Sequence, residues 1–319
     1  MKTLPLGSTG ERVSALCLGA MNYGTKAGEQ ESFSMLDRYV EAGGTFIDTA
    51  NNYAVWWGGD GGDSERVLGK WMKDRGNRNS LFLATKVGFN RPDVGRSLKG
   101  SVIRQEIEGS LRRMETDRVD LYYAHTDVRE DSLEETLSTF DALRREGKLR
   151  FIGCSNYRAW RIEQARAISR DRGWAEYCCV QQRHTYLRLA PGQSFGVQLS
   201  VDPELQDYGA THARDFLILG YSSTLGGAYT GRTDRPIPSQ HAGADTQARL
   251  STLTAVAKEA GATPVQVMYA WMLQSIPVVL PLVSAGTVAQ LDENLGCLRL
   301  TLSQDQMKRL DTAGSALAA

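Results

Sequence analysis

Eight short apolar segments recur along this 319-residue chain, and an amphipathic helical stretch separates each from the next. Alternation of this kind predicts parallel strands joined by crossover helices. Eight such units favour a closed (β/α)8 TIM barrel over an open α/β sheet, because such barrels form one domain of roughly 250 residues or more. We therefore expect a single domain over residues 1–319. The predicted strands are Leu16–Ala20, Thr45–Asp48, Leu81–Lys86, Val119–His125, Leu149–Ser155, Tyr177–Gln182, Phe216–Ser222 and Val278–Val283.

A β-hairpin is predicted ahead of the barrel. Lys2–Leu6 and Arg12–Leu16 flank the turn residues Gly7–Gly10, which are typical of a hairpin connection. The Gly-rich segment Gly58–Asp63 lacks the Lys and the strand–helix junction of a phosphate-binding loop, so a flexible loop is expected there. Helices are predicted near residues 31–42, 64–74, 101–115, 133–146, 157–170, 203–214, 246–260 and 264–274, with a last one starting near 287.

Composition excludes several classes of protein. Acidic and basic residues balance at 37 each, so the chain has no net field to gather nucleic acid or anionic lipid. It contains no apolar run of the roughly 20 residues that a membrane span needs, and no signal-peptide core, so we expect a cytoplasmic protein without a membrane partner. Five cysteines without CxxC spacing predict reduced, buried thiols. Four histidines without an HxH pair argue against a metal site.

Polar residues follow the predicted strands at their carboxyl ends, where (β/α)8 barrels carry their chemistry. Asp48 ends the second strand and Tyr53 follows five residues later; Lys86 and His125 end the third and fourth strands. Later strand ends carry Ser155, Asn156, Gln181, Tyr221 and Ser222.

These residue types predict a proton donor. A buried ammonium at Lys86 needs a counter-ion, which Asp48 supplies. A Tyr hydroxyl has a pKa near 10, and we expect the ammonium of Lys86 to lower the pKa of Tyr53. His125 is placed to hydrogen-bond a substrate oxygen. The alternatives are a Lys86–Asp48 pair that only braces the barrel, a Tyr53 that only covers its rim, and a structural His125.

Five motifs in this order resemble those of the aldo-keto reductases. They are Phe46–Tyr53 (FIDTANNY), Leu83–Gly88 (LATKVG), Val119–His125 (VDLYYAH), Ile152–Asn156 (IGCSN) and Leu291–Gly296 (LDENLG). The resemblance covers essentially the whole chain. It implies reduction of an aldehyde or ketone by hydride from a nicotinamide cofactor bound across the barrel mouth, with the cofactor and a small carbonyl compound as partners and a monomer or weak homo-oligomer as the assembly.

The resemblance also assigns roles to residues. It gives a catalytic tetrad of Tyr53 as acid, Lys86 and Asp48 as its tuning pair, and His125 as the residue that orients the carbonyl. It assigns Asn156 and Gln181 to the nicotinamide carboxamide, with Ser155 beside them, and Tyr221 to the nicotinamide face. The remaining cofactor residues it implies are Gly19, Met21, Asp48, Ser222, Thr224, Leu225, Gly227, Arg232, Ser284, Gly286, Gln290 and Asn294.

Two departures from the family pattern bear on specificity. Ser284, Gly286 and Gln290 stand where relatives carry cations for the adenosine 2′-phosphate, with Arg232 as a substitute. We therefore expect NADPH to be preferred only modestly and NADH to be usable. The lengthened loop after Tyr53 brings in Trp56 and Trp57, which with His125 and Tyr23 predict a substrate site for a bulky cyclic or sugar-like ketone. The alternative places the two Trp rings against the outer helices.

Two rival functions remain open. Some proteins that resemble the aldo-keto reductases act as regulatory subunits, which bind the cofactor and turn over slowly. In this chain the predicted barrel begins almost at the N-terminus, which disfavours that role. A metal hydrolase or an aldolase with Lys86 as a Schiff-base nucleophile is the other rival. The neighbouring Tyr53 and Asp48 favour hydride chemistry.

Overall fold

Eight parallel strands close into a barrel in the computed structural model, which describes residues 1–59, 61–92 and 94–315. The predicted α/β barrel and hairpin are therefore both confirmed. Around the barrel the order is β10, β3, β4, β5, β6, β7, β8 and β9, and the pair β1–β2 lies outside it. The strands are β1 (Thr3–Pro5), β2 (Arg12–Ser14), β3 (Cys17–Gly19), β4 (Phe46–Asp48), β5 (Phe82–Val87), β6 (Val119–Ala124), β7 (Leu149–Ser155), β8 (Tyr177–Arg183), β9 (Leu217–Tyr221) and β10 (Val279–Val283).

The helices pack on the outside of the barrel. One of them, α10, was not predicted: its apolar positions are few, but Ser303 and Gln306 form a capping box that fixes its start. The helices are α1 (Glu29–Glu41), α2 (Asp63–Arg75), α3 (Gly100–Arg113), α4 (Leu133–Arg145), α5 (Ala159–Arg172), α6 (Pro203–Thr211), α7 (Thr246–Glu259), α8 (Pro264–Gln274), α9 (Val288–Leu295) and α10 (Gln304–Thr312). Among the described residues, no helix is long and apolar enough to cross a membrane.

The apolar core has two layers. The larger lies between the strands and the helices, while a smaller one fills the barrel with side chains such as Phe46, Phe82 and Leu121. Leu6 and Val13, on either side of the hairpin turn, belong to the inner layer, so the hairpin closes the amino-terminal end of the barrel. The five cysteines are all buried, as predicted.

Loops at the carboxyl ends of the strands form the opposite face, the barrel mouth. A short 3-10 turn (Val55–Trp57) follows β4; Asp60 of the predicted flexible loop lies outside the described residues. Two long connections follow β8 and β9, over residues 184–202 and 222–245. The barrel interior below the mouth is filled with buried side chains. Polar side chains at the strand ends can therefore contact a ligand at the barrel mouth.

Candidate active site

Lys86 joins Asp48 and Tyr53 into one buried cluster at the barrel mouth. Its Nζ lies 2.5 Å from Asp48 Oδ2, and donates to Tyr53 OH at 2.8 Å and to the Thr49 carbonyl at 2.7 Å. Lys86 and Asp48 are fully buried and Tyr53 is 8% exposed. The predicted ion pair is therefore present, and all three protons of the ammonium have an acceptor.

Local backbone structure fixes this geometry. Asp48 is the last residue of β4 and pairs in register with Ala84 of β5, two residues before Lys86. The chain then turns so that the Tyr53 amide donates to the Ala50 carbonyl. Ala54 follows with φ +88°, a conformation that costs a non-Gly residue free energy and recurs at functional sites.

Burial dominates the ionisation of the cluster. It lowers the pKa of Lys86, against the pull of Asp48, and raises the pKa of Asp48, against the pull of Lys86. The pKa of Tyr53 is raised well above its usual value, first by burial and then by the charge of Asp48. The lowered pKa expected for Tyr53 is therefore not found in the protein by itself, because burial of the phenolate dominates.

His125 lies beside the tyrosine. The centroids of the His125 and Tyr53 rings are 6.1 Å apart, and Phe89 covers the imidazole at 5.0 Å. Burial and the charge of Lys86 hold the pKa of His125 well below its usual value, so the ring is neutral at neutral pH. Its Nδ1 has no hydrogen-bond partner among the described residues. A neutral imidazole can donate one hydrogen bond to a ligand oxygen.

A second hydrogen-bonded group continues from the tetrad along the strand ends. The Gln181 side chain donates to Asp48 Oδ1 at 3.0 Å, and the Ser155 hydroxyl donates to the Gln181 carbonyl at 2.7 Å. Asn156 accepts from the Tyr221 hydroxyl at 2.9 Å. The four residues assigned to the nicotinamide half of the cofactor are therefore contiguous with the tetrad.

The backbone is strained where the cofactor segments were predicted. Asn156, Ser222 and Leu225 have φ of +60°, +57° and +50°. Gly227 also has positive φ, at +99°, in the turn that follows β9. Non-Gly residues adopt this conformation rarely, and they persist where the surroundings enforce it, often at ligand sites.

The segment predicted to bind the adenosine end of the cofactor, around the start of α9, is built differently. Gly286 donates its amide to the Gln290 side chain at 2.8 Å, and the Asn294 side chain donates to the Ser284 carbonyl at 3.1 Å. None of these groups is charged. Arg232 lies in the β9 loop as an exposed side chain, 2.7 Å from the carboxylate of Asp234.

Four more predicted residues lie in the segments that follow β3 and β4. Trp56 is 49% exposed with its ring centroid 5.9 Å from that of Tyr53, and Trp57 packs edge-on against Trp56 at 5.4 Å. Met21 is also exposed. Tyr23, predicted to contact substrate, is instead fully buried in the layer between strands and helices, because its loop folds inward through a bridge to Ala27.

The structure adds residues that the sequence did not indicate. Phe89 lies two residues after the end of β5, so only its place after a strand end was a signal. Arg183 ends β8; its guanidinium lies 3.7 Å from the centroid of Phe195 and 5.8 Å from that of Tyr221. Phe195 comes from the long β8 loop, whose path no local pattern predicts.

Comparison with known proteins gives one family over nearly the whole chain. The model of the "Aldo/keto reductase family" matches residues 15–315. An uncharacterised oxidoreductase of Bacillus subtilis, YrpG, is 30% identical, over 96% of this chain and 94% of the relative. Norsolorinic acid reductase of Aspergillus flavus is 29% identical, over 96% of this chain and 79% of the relative. The aldo-keto reductase ausK of Emericella nidulans is 29% identical, over 96% and 80%.

The family match and the barrel agree. The matched residues run from just before β3 to the end of the described chain, so they include every strand of the closed barrel. The family match and the oxidoreductases among the relatives support an NAD(P)H-dependent oxidoreductase that acts on carbonyl compounds. This protein is a member of the aldo/keto reductase family.

Proposed function

We propose that this protein reduces a bulky ring-shaped ketone or aldehyde to an alcohol, with NADPH preferred over NADH and with Tyr53 as the proton donor. The observation that carries the proposal is the buried hydrogen bond from Lys86 to the Tyr53 hydroxyl, with Asp48 behind the lysine and His125 beside the tyrosine. A brace for the barrel needs only the Lys86–Asp48 pair; it does not need a hydroxyl at the open end.

The residues perform the proton half of the reaction. A bound nicotinamide cofactor supplies hydride to the carbonyl carbon. Tyr53, whose raised pKa keeps it protonated throughout the neutral range, donates its proton to the carbonyl oxygen as negative charge develops there. Lys86 then stabilises the phenolate through the existing hydrogen bond, and its own lowered pKa eases return of a proton to Tyr53. Neutral His125 orients the carbonyl oxygen.

The strand-end residues fit a nicotinamide cofactor. Gln181, Asn156 and Ser155 present amide and hydroxyl groups next to Asp48, and Tyr221 offers a ring held by Asn156. The positive φ of Ser222, Leu225 and Gly227 gives the turn after β9 the kind of backbone conformation in which successive amides can face an anion such as a pyrophosphate. These features support cofactor binding on the β7–β9 side of the mouth.

Cofactor choice follows from the adenosine end. A 2′-phosphate is held most strongly by charge-assisted hydrogen bonds, worth about 1.5–3 kcal/mol each against about 1 for neutral ones. Ser284, Gly286 and Gln290 give only neutral bonds, and Arg232 must leave Asp234 to help. We therefore expect NADPH to be preferred by a modest factor and NADH to support turnover.

Substrate class follows from the aromatic side of the mouth. Trp56 stands edge-on to Tyr53, and Phe89 covers His125 on the other side. Aromatic side chains around two polar groups favour a flat or ring-shaped carbonyl compound. Several relatives are named norsolorinic acid reductases, which supports reduction of an organic compound as the reaction of this chain.

A cofactor-consumption screen tests the proposal. Purified protein is incubated with NADPH or NADH and with a panel of short aldehydes, keto-sugars, cyclic ketones and aromatic polycyclic ketones. We expect the highest kcat/KM for the ring-bearing ketones with NADPH, and no consumption without a carbonyl compound. Absence of consumption with every member of the panel, for a protein that binds NADPH, would favour the regulatory-subunit alternative.

A further inference from the structure

The two long loops after β8 and β9 are bound to each other. Thr185 donates to the Ser223 carbonyl at 2.6 Å, Leu187 donates to the Tyr229 hydroxyl at 3.0 Å, and Ala190 donates to the Gln240 carbonyl at 2.9 Å. Both exceed the roughly 2–6 residues of ordinary strand-to-helix loops in α/β units, and long ordered loops are usually functional. We therefore expect these two loops to do more than connect strands to helices.

A cavity of about 680 Å³ is lined by residues of these loops, α6, α7 and α8. Pockets that hold small molecules measure roughly 300–1,000 Å³. Its lining includes Ser222 and Leu225 as well as Gln206 and Ile276. It does not include any residue of the tetrad, so it is separate from the site proposed for the carbonyl compound.

Two cations line this cavity without a carboxylate partner among the described residues. Arg249 is 3% exposed; it donates to the backbone carbonyls of Tyr186 and Ala313, at 2.9 and 3.1 Å. Arg183 donates to the Gln198 side chain at 2.7 Å and stacks on Phe195. Burial lowers the pKa of both guanidinium groups, although both stay charged. A buried cation without a counter-ion is costly and attracts an anion.

Three other charged groups line the cavity. Asp202 caps α6 through the Leu205 amide and lies 3.4 Å from Arg158, and Arg188 lies 3.3 Å from Asp245. Asp311 accepts the indole N–H of Trp271 at 2.7 Å and has no ion-pair partner among the described residues. The lining groups without an ion pair are therefore two arginines and one carboxylate, and their net charge is positive.

An unpartnered histidine atom and an apolar wall complete the lining. His241 is 3% exposed; its Nδ1 lies 3.1 Å from the Arg188 carbonyl, and its Nε2 has no hydrogen-bond partner among the described residues. Trp271 stacks on His184 with ring centroids 5.4 Å apart, and Leu187 also belongs to the lining. The lining thus offers cationic donors together with ring surfaces.

We propose that this cavity is a second binding site, for a small amphipathic anion that carries one carboxylate or phosphate on a ring or short chain. Arg183 and Arg249 bind the anionic group, and the wall of Trp271 and Leu187 contacts the apolar part. Ser222 and Leu225 belong both to this cavity and to the segment assigned to the cofactor. An anion bound in the cavity therefore alters the affinity for the cofactor. This effect on the cofactor rests on the proposed function, whereas binding of the anion does not.

Calorimetric titration of the intact protein tests the site with three probes of similar shape. Benzoate and phenyl phosphate carry the anion, and benzamide is the neutral control. We expect one site per chain for the anions and at least about tenfold weaker binding of benzamide, because each of the two guanidinium groups forms a charge-assisted bond with an anion and only a weaker bond with the neutral amide. The tighter of the two anions identifies the preferred head group. Equal binding of benzamide, or no binding of either anion, would overturn the proposal.

Variants locate the binding site. Arg183→Gln should weaken benzoate binding at least about tenfold, and Val201→Trp should block it by filling the cavity. Arg172→Gln is the matched control, because Arg172 pairs with Glu134 on the exposed side of α5; it should bind as the wild type does. Unchanged binding in both test variants, or loss of binding in Trp56→Ala, would place the anion elsewhere and contradict the proposal. Failure of the carbonyl screen leaves these titrations unaffected, so the two proposals fail separately.

Discussion

The two ends of the barrel mouth are built on opposite principles. At the tetrad end, β4 and β5 hold Lys86 and Asp48 fully buried, and each proton of the ammonium is hydrogen-bonded. At the adenosine end, Ser284 and Gln290 offer neutral groups on an exposed turn, and Arg232 pairs with its own neighbour Asp234. On the proposed function, the residues that carry the chemistry lie at the ends of strands, whereas the residues proposed to select the cofactor lie in loops.

Removing the charge of Lys86 should give the largest effect. In Lys86→Met the Asp48 carboxylate stays buried without a partner, which costs about 3–5 kcal/mol in free energy of unfolding. Turnover should also collapse, because the phenolate of Tyr53 loses its donor. Urea unfolding and steady-state kinetics measure both.

Two further variants sharpen that result. Lys70→Met removes a lysine whose partner Glu29 is exposed, so the free energy of unfolding should barely change. Adding Asp48→Asn to Lys86→Met should restore stability but not activity. Full activity in Lys86→Met would show that the lysine serves only as a brace.

Removing the two Trp rings at the barrel mouth should raise KM for large substrates more than for small ones. Replacing Trp56 and Trp57 with Ala removes the wall beside Tyr53, so KM for bulky ring ketones should rise roughly tenfold, as for about 1.4 kcal/mol of lost contact. KM for short aldehydes should stay nearly constant. Trp160→Ala, which removes an equally exposed ring stacked on Arg129, is the control. Equal effects on both substrate sizes would favour packing as the role of the two Trp rings.

Adding a cation near the start of α9 should strengthen the binding of NADPH. An added Cβ at Gly286 meets only the Gln290 side chain, at 3.4 Å, so Gly286→Arg should fold normally. It should tighten NADPH binding by about tenfold through a charge-assisted bond to the 2′-phosphate and leave NADH binding unchanged. Fluorescence titration with both cofactors measures this. A wild-type preference for NADPH above about a thousandfold would contradict the assignment of this segment.

The smallest effect concerns pH. Because burial holds the pKa of His125 well below its usual value near 6.5, the imidazole stays neutral as the pH falls through that value. The profile of kcat/KM between about pH 5.5 and 8 should therefore show no inflection from His125. An inflection near 6.5 that disappears in His125→Phe would indicate an ionising imidazole.

The features of the barrel mouth that could be predicted from the sequence are those that depend on the local pattern of residues along the chain. Strand periodicity placed Asp48, Lys86 and His125 at neighbouring strand ends, so the ion pair and the tetrad cluster followed. The raised pKa of Tyr53 did not follow, because burial depends on packing around the whole mouth. The inward fold of Tyr23 escaped prediction for the same reason, as did the cavity between the β8 and β9 loops, whose paths depend on contacts between distant segments.

The central claim, that Tyr53 donates the proton, is tested most directly by Tyr53→Phe. This change removes only the hydroxyl at the end of the Lys86 hydrogen bond, so the fold and the dissociation constant for NADPH should match the wild type. On a ketone identified by the screen, kcat should fall by about 10²–10⁴-fold or more. A variant that binds NADPH normally and keeps its full kcat would contradict the account.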